Sequence, residues 1–131
     1  MIKIEPTKDF SELLPVPRAR AEESVQVWRV RYGSGNDSDD HTLIYFGLVS
    51  TNAICAQGVL WAQPAPALFT APLSARKQAA VAWQAFASSY PWRMFAICDR
   101  YSARNERFLL FLGFTPYTED EEYQYFKGAF K

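Results

Sequence analysis

The chain is poor in the side chains that most metal and nucleophile chemistry needs. Its 131 residues include one histidine, His41, and two cysteines, Cys55 and Cys98. A metal site built on several imidazoles is therefore excluded. A Ser-His-Asp arrangement would have to use His41, which sits in an Asp-rich polar stretch with no G-x-S-x-G elbow. The cysteines lie far apart and form no C-x-x-C, so a secreted disulfide framework is not expected and reduced, buried thiols are. Cys98, centrally placed, could act as a nucleophile, although a structural role is the ordinary reading of a buried cysteine. Charge of one sign is also missing. Fourteen basic residues balance fourteen acidic ones, which argues against a nucleic-acid coat and leaves little repulsion to oppose a homodimer. No apolar run approaches the about 20 residues that cross a bilayer. The opening Met1-Ile2-Lys3-Ile4-Glu5-Pro6 has no signal-peptide apolar region, so a cytoplasmic protein is expected. There is no Walker loop, no dinucleotide-binding glycine fingerprint and no internal repeat.

What is present is core material. The chain is 49% hydrophobic and 16% aromatic, enough for one domain spanning 1–131. Ile2 to Glu5 alternates apolar and polar and reads as a short strand ended by Pro6. Thr7 to Leu14 reads as a brief helix stopped before Pro15. A second helix is expected from about Arg18 to Tyr32, because Ala21, Val25, Trp28 and Tyr32 recur at helical spacing. Gly33 to Asp40 is a polar turn region. Thr42 to Ser50 is a nearly continuous apolar run rich in β formers, which reads as a strand buried on both faces. Thr51-Asn52 suits a hairpin turn, Ala53 to Ala62 the return strand with Gly58 as a bulge, and Leu68-Phe69-Thr70 a further short strand.

Ser74 suits the N-cap of a helix over Ala75 to Ser89, whose stripe is Ala79, Trp83, Phe86 and Tyr90. Arg93 to Cys98 is the next strand. Ser102 can cap a helix facing inward with Phe108, Phe111 and Leu112, and Gly113 stops it. Phe114 to Tyr117 and Tyr123 to Phe130 are the last strands. The pattern is an α/β sheet with helices on both faces.

This element order resembles the GCN5-related N-acetyltransferase (GNAT) superfamily. Asn105-Glu106-Arg107-Phe108-Leu109-Leu110-Phe111-Leu112-Gly113-Phe114 resembles the closing helix of that superfamily, which commonly ends in Leu-Gly-Phe. The resemblance implies a mixed, mostly antiparallel sheet of six to seven strands with helices on both faces. A narrower resemblance rests on Ile4-Glu5-Pro6-Thr7-Lys8-Asp9-Phe10, on Arg107-Phe108-Leu109 with Gly113, and on Tyr125-Phe126. These look like a small bacteriophage family with a GNAT-like fold, related to the internal virion protein A of short-tailed phages.

The resemblance also implies acetyl-CoA as cofactor, with its pyrophosphate on a glycine-containing loop at a helix start, where free N–H groups receive an anion. The corresponding stretch is Pro72-Leu73-Ser74-Ala75-Arg76-Lys77, with Pro72 in place of Gln or Arg, Ala75 in place of Gly and Lys77 in place of a small residue. Phe69, Thr70, Ser74, Ala75, Arg76, Lys77 and Arg104 are then the candidate cofactor residues. Arg76 and Lys77 put positive charge at a helix start, which an anion would turn favourable; a solvated basic turn is the alternative. Arg100, Arg104 and Arg107 form a second basic row, which could meet a CoA phosphate or an acidic partner, or be a wet helix face. The superfamily's usual acid, a Tyr four residues before the closing glycine, is Leu109 here. Asp99 as base, with Tyr101 and Tyr117 as acids, are the catalytic candidates.

Two functions follow from the resemblance. One is an acyl-CoA-dependent N-acyltransferase acting on an amine of a protein or small molecule. The other is a catalytically inert GNAT-fold protein that contacts a host or phage protein during phage assembly or host takeover, with Trp61 or Trp92 as anchors. Nucleic-acid binding through the Arg100 row is a third, opposed by the neutral charge.

Overall fold

The computed structural model describes residues 2–33 and 41–128. The polar turn expected around Asp37, Asp39 and Asp40, and the end of the last expected strand at Phe130, lie outside the described residues. In chain order the elements are β1 (Ile2–Pro6), α1 (Pro15–Glu23), β2 (Gln26–Tyr32), β3 (His41–Asn52), β4 (Gln57–Pro64), α2 (Pro66–Thr70), α3 (Leu73–Ser89), β5 (Arg93–Asp99), α4 (Ala103–Phe111), β6 (Phe114–Glu119) and β7 (Tyr123–Gly128). The strands form one seven-stranded sheet in the order β1-β2-β3-β4-β5-β7-β6. Every neighbouring pair is antiparallel except β4 with β5. This is the mixed, mostly antiparallel α/β sheet expected from the sequence.

β3 lies inside the sheet between β2 and β4 and is buried on both faces from Leu43 to Leu48. On one face Phe46 stacks on Trp83 of α3, with ring centroids 3.8 Å apart and planes 9° from parallel. Trp28 of β2 meets the edge of Trp83 at 6.3 Å. Leu109 and Leu112 extend this cluster beneath α4, joining Ala96, Cys98 and Phe126 of the neighbouring strands. A smaller cluster of Leu13, Ala21, Val27, Tyr45 and Trp61 packs under α1.

Several local expectations are corrected. Arg18 to Tyr32 is not one helix: α1 ends at Glu23 and β2 begins at Gln26. Ser24, in extended conformation, ends the helix, and its hydroxyl donates to the Arg20 carbonyl at 2.7 Å. Beyond it, Val27 faces α1 while Trp28 and Val30 belong to the opposite cluster. Burial on both faces erased the alternation that marks a half-buried strand. Thr7 to Leu14 contains no helix. Pro15 starts α1 instead of stopping a helix before it, because proline's missing N–H costs nothing at a helix start.

The same rule corrects Leu68-Phe69-Thr70, which lies in α2 behind Pro66 and not in a strand. The β3–β4 turn is Ala53 to Ala56, not Thr51-Asn52: the Asn52 side chain accepts from Cys55 N–H at 3.1 Å, and Ala56 takes a φ of 51°. The irregularity in this hairpin lies between Ser50 and Asn52, opposite the Gly58 end of β4. Ser74 is inside α3, whose N-cap is Pro72 with no side-chain cap bond. Cys98 is buried as expected, but Cys55 is exposed in the hairpin turn. By contrast, Ser102 does cap α4, accepting from Asn105 N–H at 3.4 Å, and Gly113 follows with a φ of 97°. On the inward face of α4, Leu112 is buried and Phe108 packs against the core as expected, Leu109 joins them, and Phe111 is exposed instead.

Candidate functional site

The sheet opens at its one parallel pair. β4 and β5 are in register only at Gln57 with Arg93, Gly58 with Met94 and Val59 with Phe95. β4 then continues to Pro64 on β3 and β5 to Asp99 on β7 without pairing with each other. Ala65 N–H donates to the Leu43 carbonyl at 2.8 Å, which sets the alternation along β4. Trp61 and Gln63 turn their backbone groups toward Gly47 and Tyr45 of β3. Leu60 and Ala62 therefore turn their backbone groups the other way; the Leu60 N–H closes the parallel bridge of Val59 with Phe95, and the Leu60 carbonyl and both Ala62 groups are left facing the gap. Free backbone groups beside a cavity are a ready ladder for an extended ligand with amides of its own.

Trp61 shapes one wall of the gap. Its indole N–H donates to the Ser24 hydroxyl at 2.8 Å. The ring lies over Gly47, where a Cβ would stand 2.1–2.2 Å from the indole. Glycine is thus required at 47 for the ring to lie flat on β3.

Two cavities meet in the gap. One, of about 360 Å³, lies between α1 and α4 and is lined by Pro17, Arg20, Trp61, Ile97, Cys98 and Leu109. The other, of about 430 Å³, lies between the α2–α3 corner and α4 and is lined by Leu68, Phe69, Arg76, Arg104, Arg107 and Phe111. Ala62, Asn105 and Phe108 line both. Among the described residues no carboxylate lines either one, and the second cavity is lined by cationic and aromatic side chains. The Arg76 Nε is buried without a hydrogen-bond acceptor. The Arg104 guanidinium lies over the Phe69 ring, 5.4 Å from its centroid. Beside them, α3 begins at Leu73 with no side-chain cap, so its first N–H groups stay available to an anion.

Cys98 faces the first cavity. Burial, with the Glu106 and Asp99 carboxylates adding to it, pushes its thiol above the ordinary range. It is therefore protonated at neutral pH and a poor nucleophile.

The structure brings Phe69, Arg76 and Arg104 of the predicted cofactor residues together in one cavity. Ala75 is 1% exposed, packed beneath the helix start and not over it. Thr70, Ser74 and Lys77 are exposed and line neither cavity. Asp99 and Tyr101 come together, but in a separate shallow concavity with Glu121, Glu122 and Tyr123. Tyr101 is 86% exposed. Tyr117 stands at a register shift in the edge strand β6, its ring 6.2 Å from that of Phe95, and lines neither cavity. Trp61 is buried and Trp92 half-buried, so Trp61 is not the exposed anchor expected of a docking protein. Reading the sequence missed Leu60, Ala62 and Asn105. The first two act through backbone groups that leave no side-chain signature, and Asn105 was read only as part of the closing helix.

No family profile matches the sequence, and no curated protein matches it significantly. Solved structures do match in three dimensions. A putative phosphinothricin N-acetyltransferase superposes with a TM-score of 0.62 at 7% identity, over 98% of each chain. The Campylobacter jejuni N-acetyltransferase PseH, in complex with acetyl coenzyme A, gives 0.56 at 11% identity over 97% of each chain. A variant of spermidine N-acetyltransferase SpeG from Vibrio cholerae gives 0.55 at 12% identity, over 96% of this chain and 78% of that one. The architecture is therefore the GNAT fold. The solved structures that share it here are N-acetyltransferases by name.

Proposed function

We propose that this chain is an acyl-CoA-dependent N-acyltransferase of the GNAT superfamily, with acetyl-CoA as donor. The observation that carries the reading is the edge of β4 left unpaired by β5 past Val59, where Ala62 opens onto a cavity lined by three arginines. Coenzyme A joins a phosphate-rich nucleotide to an arm with two amides and a thiol. The guanidinium groups of Arg76, Arg104 and Arg107 suit the phosphates, and the free groups of Leu60 and Ala62 suit the amides.

Bound acetyl-CoA would supply an activated acyl carbon. A free N–H of β4 would be the donor available to stabilise negative charge on the thioester oxygen. The acceptor amine enters from the α1 side, past Arg20 and Trp61. Transfer would join its nitrogen to the acyl carbon and break the carbon–sulfur bond, the thiolate gaining a proton as the nitrogen loses one. Asp99, Tyr101 and Tyr117 stand outside the cavity linings, so the amine loses its proton to water and no side chain of the cleft serves as base.

The narrower resemblance to the phage family adds an origin. On it, the protein acts in a host cytoplasm on an amine of a host or phage protein or of a small molecule.

The reading is tested by following free thiol release from acetyl-CoA with a panel of small amines and lysine peptides. The expected result is amine-dependent release, whose rate rises with pH as the acceptor itself deprotonates. Absence of both turnover and calorimetric binding at millimolar acetyl-CoA contradicts it.

A further inference from the structure

The cationic cavity holds more positive charge than a diphosphate alone requires. Arg76 belongs to the first turn of α3, where the free N–H groups of the helix start already favour an anion. Arg104 and Arg107 reach the same cavity from α4, three residues apart on one helix face. Like charges at that spacing repel. Among the described residues neither is in an ion pair. Arg104 instead lies over Phe69, a ring left 54% exposed at the cavity mouth. Phe111 adds a second partly exposed ring. Two cations with no carboxylate partner among the described residues, set between exposed aromatic rings, are complementary to a nucleotide that carries a phosphate of its own apart from the diphosphate.

Resting on the acyl-CoA reading, we infer that Arg104 and Arg107 recognise the 3′-phosphate of the cofactor and make the protein selective for CoA over dephospho-CoA. Arg76, with its buried Nε lacking an acceptor, takes the diphosphate. Guanidinium groups then do the work that glycine N–H groups do in the loop this chain resembles, which is consistent with Pro72, Ala75 and Lys77 standing where that loop has other residues. Arginine suits the task because its planar fork matches two phosphate oxygens and stays charged at every relevant pH.

Calorimetry on the full chain with acetyl-CoA, acetyl-dephospho-CoA and acetyl-pantetheine separates the claims. Acetyl-CoA is expected to bind about tenfold to a hundredfold more tightly than acetyl-dephospho-CoA, the range for charge-assisted contacts. In the double variant Arg104→Gln, Arg107→Gln that preference disappears while acetyl-dephospho-CoA binds as before. In Arg76→Gln both nucleotides weaken and acetyl-pantetheine does not. Equal affinity of the wild-type protein for the two nucleotides overturns the inference and leaves the acyl-CoA reading standing. So does a preference that survives in the double variant with an unchanged melting curve. Binding of none of the three ligands removes the acyl-CoA reading and this inference with it.

Discussion

Gly47 and Trp61 show how one missing side chain shapes a cavity. The indole occupies the space in which any Cβ at 47 would stand, and its N–H is fixed on Ser24. Gly47→Ala must displace the ring, at about 1–3 kcal/mol as for other overpacked cores, and with it one wall of the cleft. Urea unfolding is expected to show the loss of stability, and calorimetry weaker acetyl-CoA binding. A variant of wild-type stability and affinity would show that the ring is not held as described. Glu5 sits among Arg29 at 2.7 Å, Arg31 at 3.1 Å and Lys3 at 3.4 Å. Burial alone would raise its pKa, but the hydrogen bonds from Arg29 and Arg31, with Lys3, outweigh that and hold the carboxyl below its ordinary value. A carboxyl whose folded pKa is depressed stabilises above the unfolded value, and that stabilisation is lost as pH falls through the folded one. Glu5→Gln is therefore expected to lower stability at pH 7 and to match the wild type near about pH 2, where both side chains are neutral. A stability gap that stays constant across that range would assign the effect to packing instead of charge.

At the scale of elements, α4 is the helix on which most of the cationic cavity depends, since it carries Arg104, Arg107, Phe108 and Phe111. Its cap at Ser102 predicts that Ser102→Ala costs about 1 kcal/mol in thermal unfolding. No change in melting temperature would mean that the long 3.4 Å bond contributes nothing. This helix was legible in the sequence because cap, apolar face and terminal glycine agree. The strand β3 was legible because a run buried on both faces is short and bounded by polar residues. The α1–β2 passage was not. Ala21, Val25, Trp28 and Tyr32 fall at helical spacing, and no glycine or proline marks the break at Ser24. Only pairing with β1 and β3 makes the second half a strand. The site divides in the same way. Phe69, Arg76 and Arg104 announce themselves by side-chain chemistry, although Phe69 was placed on a strand and lies on α2. Leu60 and Ala62 contribute only backbone, and the end of β4–β5 pairing after Val59 is a property of the sheet that no local stretch encodes.

Across the whole molecule the balanced charge conceals a separation. Arg76, Arg104 and Arg107 gather in one cavity, while Asp99, Glu121 and Glu122 share another concavity. A local cationic field strengthens binding of a polyanion at low salt and fades as the Debye length shortens from about 10 Å at 0.1 M to about 3 Å at 1 M. Acetyl-CoA affinity is expected to fall across that range while acetyl-pantetheine affinity stays flat. Equal salt dependence for the two would place the phosphates outside the cavity. The central claim is that the gap between β4 and β5 receives the acyl-CoA arm. A titration of the 15N-labelled protein with acetyl-CoA, followed by amide chemical shifts, tests it most directly. The largest changes are expected at Leu60, Ala62, Cys98 and Asn105, with the Arg76 side-chain Nε–H shifting as it gains an acceptor. Changes confined to residues outside both cavities, or none at millimolar ligand, would contradict it.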